Sequence, residues 1–311
     1  MTRRPRGNRP PRLDDVQQPA ASHDRPAAAP SIARTLADRR VAGTHARFGP
    51  AEVKAVLTRL AAGHADATLG LDLGGVTREE AADALADVWG TTLDGTRVTI
   101  DPERTVAAAA RAADRIAAVA GRGGRVALAT GRPASLLAGY CVIVGALAPT
   151  DARIVDVGIF GPVPGGRSLW WVDSVATITD GASLLADDGA VAGDEWLFAV
   201  GRPDLVIADR GFAAAAVGAG IETIALADVD AVVLGVAARR ELPVCVVPLD
   251  EQRPPGAYEP LTALLVAGLD GGTRPPPDPN EPGESALATR LPHSTTQASG
   301  TYAAPQSGEE G

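Results

Sequence analysis

Short apolar runs alternate with longer alanine-rich segments between about residues 36 and 270 of this 311-residue chain. The short runs have the length and β-branched composition of buried strands, and the longer segments carry apolar residues at helical spacing. Helices are predicted to begin at Pro50, after Thr77 and at Pro102, where a proline or a capping residue opens the segment. Strands that alternate with helices predict one α/β domain, a Rossmann-like layered fold with a mostly parallel sheet.

The clearest strand-to-helix unit is the predicted strand Arg125–Ala129 followed by a predicted helix over residues 133–147. Both elements are bounded by turn-forming residues, which define where the strand ends and the helix begins. Further strands are predicted at 67–72, 152–157, 168–172, 195–200, 205–208, 222–226 and 243–247, with another helix near 261–268.

The turn between that strand and helix, Thr130-Gly131-Arg132-Pro133, is the strongest candidate for chemistry. Unpaired backbone N–H groups and the positive end of the helix dipole favour an anion at such a turn. Arg132 adds a fork of N–H donors that matches a phosphate. We therefore predict that Thr130, Gly131 and Arg132 bind phosphate, the alternative being an ordinary turn with a solvated arginine.

Acidic residues follow several other apolar runs, and Arg210 comes directly after one of them; these acidic residues are Asp72, Asp209, the pair Asp228 and Asp230, and the pair 250–251. In an open parallel sheet such strand ends line one ligand crevice. We predict catalytic roles for Asp72 and Asp209 and a further phosphate contact from Arg210. The predicted metal ligands are Asp72, Asp209 and Asp228, holding Mg²⁺. Each aspartate taken alone is also a common turn former or helix cap.

Composition limits the possible partners. The first 30 residues form an Arg/Pro-rich arm and residues 271–311 a Pro/Gly/Ser-rich tail, and we expect both to be disordered around a single phosphatase-like domain at 31–270. With a net charge of −9 and no basic patch in the core, nucleic-acid binding is not expected. The apolar runs are too short to cross a membrane. Two cysteines without metal-ligand spacing fit reduced thiols in a cytoplasmic protein.

The order of segments is similar to an actinobacterial family of about this length whose members are described as phosphatases. The segments that carry this resemblance are Gly70-Leu71-Asp72-Leu73-Gly74, Thr99-Ile100-Asp101-Pro102, Ala129-Thr130-Gly131, Ser168-Leu169-Trp170, 203–211, Ala227-Asp228, 247–250 and 258–263. The resemblance implies a metal-dependent phosphoric monoester hydrolase that acts on a small phosphorylated metabolite.

The chain departs from that family at its histidines. The family pattern has histidine at the positions of Arg132 and Arg210, and again just after Trp170. The histidines of this chain, His23, His45, His64 and His293, lie outside the strand-end motifs. A histidine nucleophile or a metal centre with a histidine ligand is therefore not expected. The alternative function is that of a catalytically degenerate member that binds a phosphorylated ligand or acts as a regulatory protein.

Overall fold

The computed structural model describes residues 31–93, 95–187 and 189–269, which all fall within one compact unit. The predicted arm at 1–30 and the predicted tail at 271–311 lie outside these residues. Their expected disorder therefore stays a prediction.

A nine-stranded sheet forms the centre of the fold. Its strands are β3 (Arg125–Ala129), β4 (Arg153–Ile154), β5 (Ile159–Val163), β6 (Arg167–Val172), β7 (Val175–Thr179), β8 (Leu184–Leu185), β9 (Leu205–Ala208), β10 (Thr223–Ala227) and β11 (Val244–Pro248). The main order is β11-β10-β9-β3-β7-β6-β5, with β4 beside the start of β3 and β8 beside β7. The strands from β11 to β7 run parallel, so the predicted α/β class with a mostly parallel sheet is confirmed.

An antiparallel extension begins at β7, which pairs with β6 on one side and with β8 at its far end. Strand β6 in turn pairs with β5. Within β7, residues Val175 and Ala176 pair with Leu128 and Ala129 at the end of β3, so the rest of β7 continues past the carboxyl edge of the parallel strands. The extension therefore rises beside the edge where ligands bind in parallel sheets.

Helices cover the sheet, and their starts follow local sequence signals. They are α1 (Ile32–Asp38), α2 (Pro50–Ala61), α3 (Ala65–Thr68), α4 (Arg78–Trp89), α5 (Pro102–Gly121), α6 (Pro133–Leu147), α7 (Ala190–Val200), α8 (Arg210–Gly218), α9 (Val232–Arg239) and α10 (Glu259–Val266). Thr77 caps α4 by accepting from the Glu80 N–H at 3.0 Å, as predicted. A two-stranded ribbon of β1 (Gly43–Thr44) and β2 (Thr99–Ile100) completes the fold.

Two predicted strands are wrong. Residues 195–200 lie inside helix α7, where Trp196 is buried and meets Phe212 of α8 edge to face, with ring centroids 5.5 Å apart. A short apolar run is compatible with a buried helix as well as with a strand. Packing against α8 favours the helix here. Residues 67–72 form the end of α3 and a turn, because Leu69 and Gly70 adopt left-handed φ angles of 52° and 81° that no strand accommodates.

Candidate active site

The candidate site lies at the carboxyl edge of the parallel strands β3, β9, β10 and β11. The turn after each strand supplies polar side chains: Thr130 and Arg132 after β3, Asp209 and Arg210 after β9, Asp228 and Asp230 after β10, and Asp250 and Glu251 after β11. Because parallel neighbours end at the same edge, residues far apart in sequence become neighbours in space.

Asp209 joins the turns after β3 and β9. Its Oδ2 accepts hydrogen bonds from the Thr130 hydroxyl at 2.6 Å and the Tyr140 hydroxyl at 3.2 Å, and its Oδ1 accepts from the Gly131 N–H at 2.6 Å. Thr130 Oγ1 itself accepts from the Arg132 N–H at 2.9 Å. Burial raises the pKa of Asp209, although the bonds from Thr130 and Gly131 oppose this. The Thr130 hydroxyl and the Gly131 N–H, which the sequence predicts to bind phosphate, therefore donate to Asp209 in this structure.

Gly131 lies in close contact with the segment that follows β8. Its carbonyl accepts from the Asp187 N–H at 2.9 Å, and a Cβ at position 131 would overlap the Asp187 carbonyl oxygen. The Asp187 carboxylate pairs with Arg167 of β6 and accepts from the Gly189 N–H. The antiparallel extension therefore closes over the turn after β3, and glycine is required there for steric reasons.

The turn between β9 and α8 is backbone-strained. Arg210, its first helical residue, has a φ of 50°, in the left-handed region where a side chain costs about 1–2 kcal/mol. A Cβ on the next residue, Gly211, would overlap the Gly189 carbonyl at the start of α7. This sharp turn holds Arg210, which is 2% exposed, against the sheet edge. Strained strand-to-helix turns of this kind are common at functional sites.

Two arginines from different turns meet at one carboxylate. Arg210 Nε lies 2.5 Å from Glu251 Oε2, and Arg132 Nε lies 3.4 Å from the same oxygen. Arg210 Nη1 also pairs with Asp230 Oδ1 at 2.8 Å. Burial raises the pKa of Glu251 well above its usual range, against the opposing charge of Arg210. The two guanidinium groups are therefore arranged around a single carboxyl oxygen of Glu251.

A second cluster contains His45, Asp228 and Asp250, all buried, whose ligand atoms lie within 4.8 Å of one another. His45 Nε2 is 2.7 Å from Asp228 Oδ1, and its Nδ1 accepts from the N–H groups of Arg47 and Phe48 at 3.1 and 3.0 Å. Nδ1 is thus an acceptor, so the proton of a neutral ring is on Nε2 and is donated to Asp228. Burial lowers the pKa of His45, but the carboxylates of Asp228, Asp250 and Asp230 together outweigh this effect, so the pKa is raised overall.

Carboxylates outnumber cationic partners across the two clusters. Asp209, Asp228 and Glu251 are fully buried, and burial raises the pKa of Asp228 as well, against its hydrogen bond from His45. Asp250 Oδ2 has no hydrogen-bond donor within the described ranges, and Arg253 Nε lies 3.3 Å away. Such an excess of buried negative charge is costly unless protons or a cation balance it.

Asp72 differs from the other predicted site residues. It is exposed, it follows no strand, and its Oδ1 accepts from the Gly74 N–H at 2.8 Å in a tight local turn. Its expected place at a strand end is wrong, because residues 67–72 are not a strand. Its predicted catalytic and metal-binding roles have no geometric support from this position.

The structure therefore groups the other predicted residues in two sets. Thr130, Gly131 and Asp209 form one, with Arg132 and Arg210 beside it through Glu251, whereas Asp228 lies with His45. His45, which follows the short strand β1, reaches Asp228 after β10 and adds a ligand atom to a group that could hold a metal ion, so the expectation that a histidine-liganded metal centre is hard to build stays a prediction. The acidic pairs after β10 and β11 signalled Asp230, Asp250 and Glu251, while nothing local signalled His45 or Tyr140.

None of the helices in the described part of the chain is long and apolar enough to span a membrane. A profile of the family described as Phosphatase matches residues 28–270. The chain is also 34% identical over 179 residues to Phosphatase SCO2771 of Streptomyces coelicolor, an alignment that covers 55% of this chain and 68% of that protein. No solved structure matches the chain significantly.

Proposed function

Because the chain belongs to the Phosphatase family, we propose that it hydrolyses a small phosphorylated molecule at the carboxyl edge of strands β3, β9, β10 and β11. The observation that carries the proposal is the approach of Arg132 and Arg210 to one oxygen of Glu251. Guanidinium groups bind phosphate oxygens with the same N–H donors that they use for a carboxylate. A phosphoryl group bound at this edge would replace Glu251 as the acceptor of hydrogen bonds from Arg132 and Arg210.

A divalent cation fits the carboxylates of Asp228 and Asp250, and we propose Mg²⁺. Asp250 Oδ2 lacks a hydrogen-bond donor within the described ranges, and Asp228 Oδ2 receives one long bond, from the Glu251 N–H at 3.3 Å. Mg²⁺ is commonly held by one or two carboxylates while it keeps several waters. When bound, the ion would supply a Lewis acid and a water of lowered pKa.

His45 supports this site as a hydrogen-bond donor to Asp228. Coordination through Nε2 would move the ring proton to Nδ1, where the N–H groups of Arg47 and Phe48 already point. We therefore assign His45 a positioning role, fixing the Asp228 carboxylate, as hydrogen-bonded neighbours of metal ligands commonly do.

Asp209 receives a positioning role in the same proposal. Its two oxygens accept from Thr130, Gly131 and Tyr140, so it fixes the turn that places Arg132. Phosphate contacts from the Thr130 hydroxyl or the Gly131 N–H stay a prediction, and they require exchange of these bonds. Direct catalysis and metal binding by Asp209 would require the same exchange.

Turnover of a phosphomonoester panel in the presence of Mg²⁺ tests the proposal. Arg210→Lys keeps the charge but loses the planar fork, and we expect kcat/KM to fall about 10²-fold. Arg132→Lys, at a less buried site, provides a second test if Arg210→Lys is unstable. Exposed Arg78, on α4, supplies the matched control Arg78→Lys, which should stay within about twofold of wild type. Wild-type values in both site variants would refute the assignment.

Binding without catalysis is the second candidate, favoured by the saturated hydrogen bonding of Asp209. It predicts that no ester in the panel is hydrolysed, while a phosphorylated ligand raises the melting temperature. That stabilisation should be lost in Arg132→Ala and kept in Arg78→Ala. Turnover by wild type that Arg210→Lys abolishes would exclude this candidate.

A further inference from the structure

A hollow of about 780 Å³ lies beside the candidate active site and is lined mainly by the segments around the β1–β2 ribbon. Its size is within the usual range for small-molecule sites. His45 lines this hollow and also bonds Asp228, so it is shared with the buried cluster. The hollow and the buried cluster therefore share His45, whose side chain is fully buried against Asp228.

Three exposed arginines, Arg40, Arg47 and Arg97, line the hollow. Within the described residues, none of their guanidinium groups has an acidic partner within ion-pairing distance, although Arg47 lies over the Phe48 ring at 5.5 Å. The carboxylate in the lining, Asp38, is 3.9 Å from Arg34. In a chain of net charge −9, this is a local concentration of positive charge open to a ligand.

The backbone holds these arginines around one space. His45 N–H donates to the Val98 carbonyl at 2.9 Å, which extends the pairing of β1 with β2 and brings the segment before β2 beside the segment after β1. Arg97 and Arg47 belong to these two segments. Arg40 precedes β1 and has a left-handed φ of 59°. The positive charges therefore come from three separate stretches of chain that meet at the hollow.

We propose that this arginine-lined hollow binds a second anionic group on the substrate, so that the preferred substrates carry a phosphate or carboxylate in addition to the phosphoryl group that is removed. The proposal rests on the proposed phosphatase function for its substrate, but the binding step can be measured separately. Several arginines around an open space select an anion through summed charge, which also makes binding sensitive to ionic strength.

Paired substrates with one or two anionic groups test this inference. The probes are p-nitrophenyl phosphate, with one phosphoryl group, and fructose 1,6-bisphosphate, with two. We expect Arg97→Ala to raise KM for the bisphosphate about three- to tenfold and to leave kcat, and both constants for p-nitrophenyl phosphate, within twofold. Arg47→Gln, which keeps a polar stem over Phe48, should act in the same direction. The matched control is Arg78→Ala.

A binding measurement separates this inference from the proposed function. Inorganic pyrophosphate should bind wild type more tightly than inorganic phosphate does by calorimetry, and Arg97→Ala should reduce that difference. If no ester is hydrolysed but this difference is present and lost in Arg97→Ala, the proposed function fails and the hollow stands. If esters are hydrolysed and the arginine variants leave both the KM ratio and pyrophosphate binding unchanged, the inference about the hollow is overturned.

Discussion

Adding a divalent cation should stabilise this protein through Asp228 and Asp250. Ligand atoms of these residues lie within 4.8 Å of each other, so two ionised carboxylates repel by roughly 3–4 kcal/mol at an effective dielectric constant of about 20. A cation bound between them removes this repulsion. At a concentration of about 100 times Kd, binding adds about 2.7 kcal/mol to the free energy of unfolding. For a domain of this size that corresponds to a rise of about 5–10 °C in Tm.

The assay is thermal unfolding of chelator-treated protein titrated with MgCl₂ and, in parallel, MnCl₂. Asp228→Asn and Asp250→Asn should each remove most of the rise, because a ligand and half of the balancing charge are lost. Asp114→Asn, at an exposed position on α5, is the matched control and should keep the full rise. Asp209→Asn should keep it too, since the hydrogen bonds of Asp209 go to Thr130, Gly131 and Tyr140.

Two results would refute this reasoning. If Asp209→Asn loses the rise while Asp250→Asn keeps it, the ion lies at the sequence-predicted ligand and the cluster after β10 and β11 is not the site. If Zn²⁺ raises Tm but neither Mg²⁺ nor Mn²⁺ does, His45 is itself a ligand, because an imidazole suits Zn²⁺ whereas carboxylates and water suit Mg²⁺.

Three further predictions concern the turns and the buried carboxyl. Gly211→Ala should lower the free energy of unfolding by about 1–3 kcal/mol in denaturant melts, because the new Cβ overlaps the Gly189 carbonyl. As the control, Gly145→Ala in helix α6, where a Cβ would meet no neighbouring atom, should raise the free energy of unfolding by about 0.5–1 kcal/mol. The raised pKa of Asp209 means that the folded state keeps the Asp209 proton to a higher pH than the unfolded chain does. Above about pH 4, the free energy of unfolding of wild type should therefore fall relative to that of Asp209→Asn as pH rises through the folded pKa. The opposite trend in paired melts would contradict this. Asp72→Asn should leave turnover within about twofold of wild type, since among the described residues the hydrogen bond of that carboxylate is to its own turn. A large loss would instead restore the catalytic role predicted from sequence.

Local chemistry explains what the sequence could predict. Strand β3 and helix α6 follow from an apolar run, a turn and a proline at the first helical position, all within a few residues. The parallel order of β3, β9, β10 and β11 then brings their ends to one edge without further information. The acidic pairs after β10 and β11 were visible for the same reason.

The remaining features depend on contacts between distant residues. His45 and Asp228 are 183 positions apart, and β1 is too short to show a strand pattern. The run at 195–200 carries no periodicity that separates a helix from a strand, so the close approach of α7 to α8 determines it. Asp72 looked like a strand end because an apolar run precedes it, but the left-handed residues Leu69 and Gly70 interrupt that run.

Hydrogen bonding distinguishes two kinds of carboxylate at this edge. Asp209 accepts two bonds of 2.6 Å from Thr130 and Gly131, in the turn between β3 and α6, and one of 3.2 Å from Tyr140 on α6, so it holds neighbouring elements together. Asp250 Oδ2 accepts none within the described ranges, although Asp250 is only 1% exposed. Its Oδ1 accepts from the Gln252 N–H at 2.9 Å, and Arg253 Nε lies 3.3 Å from Oδ2, so an ion pair and one hydrogen bond compensate this buried carboxylate. The three hydrogen bonds of Asp209 therefore fit a structural role, whereas the Asp250 Oδ2, which accepts no hydrogen bond from the described residues, fits the metal-ligand role that we propose.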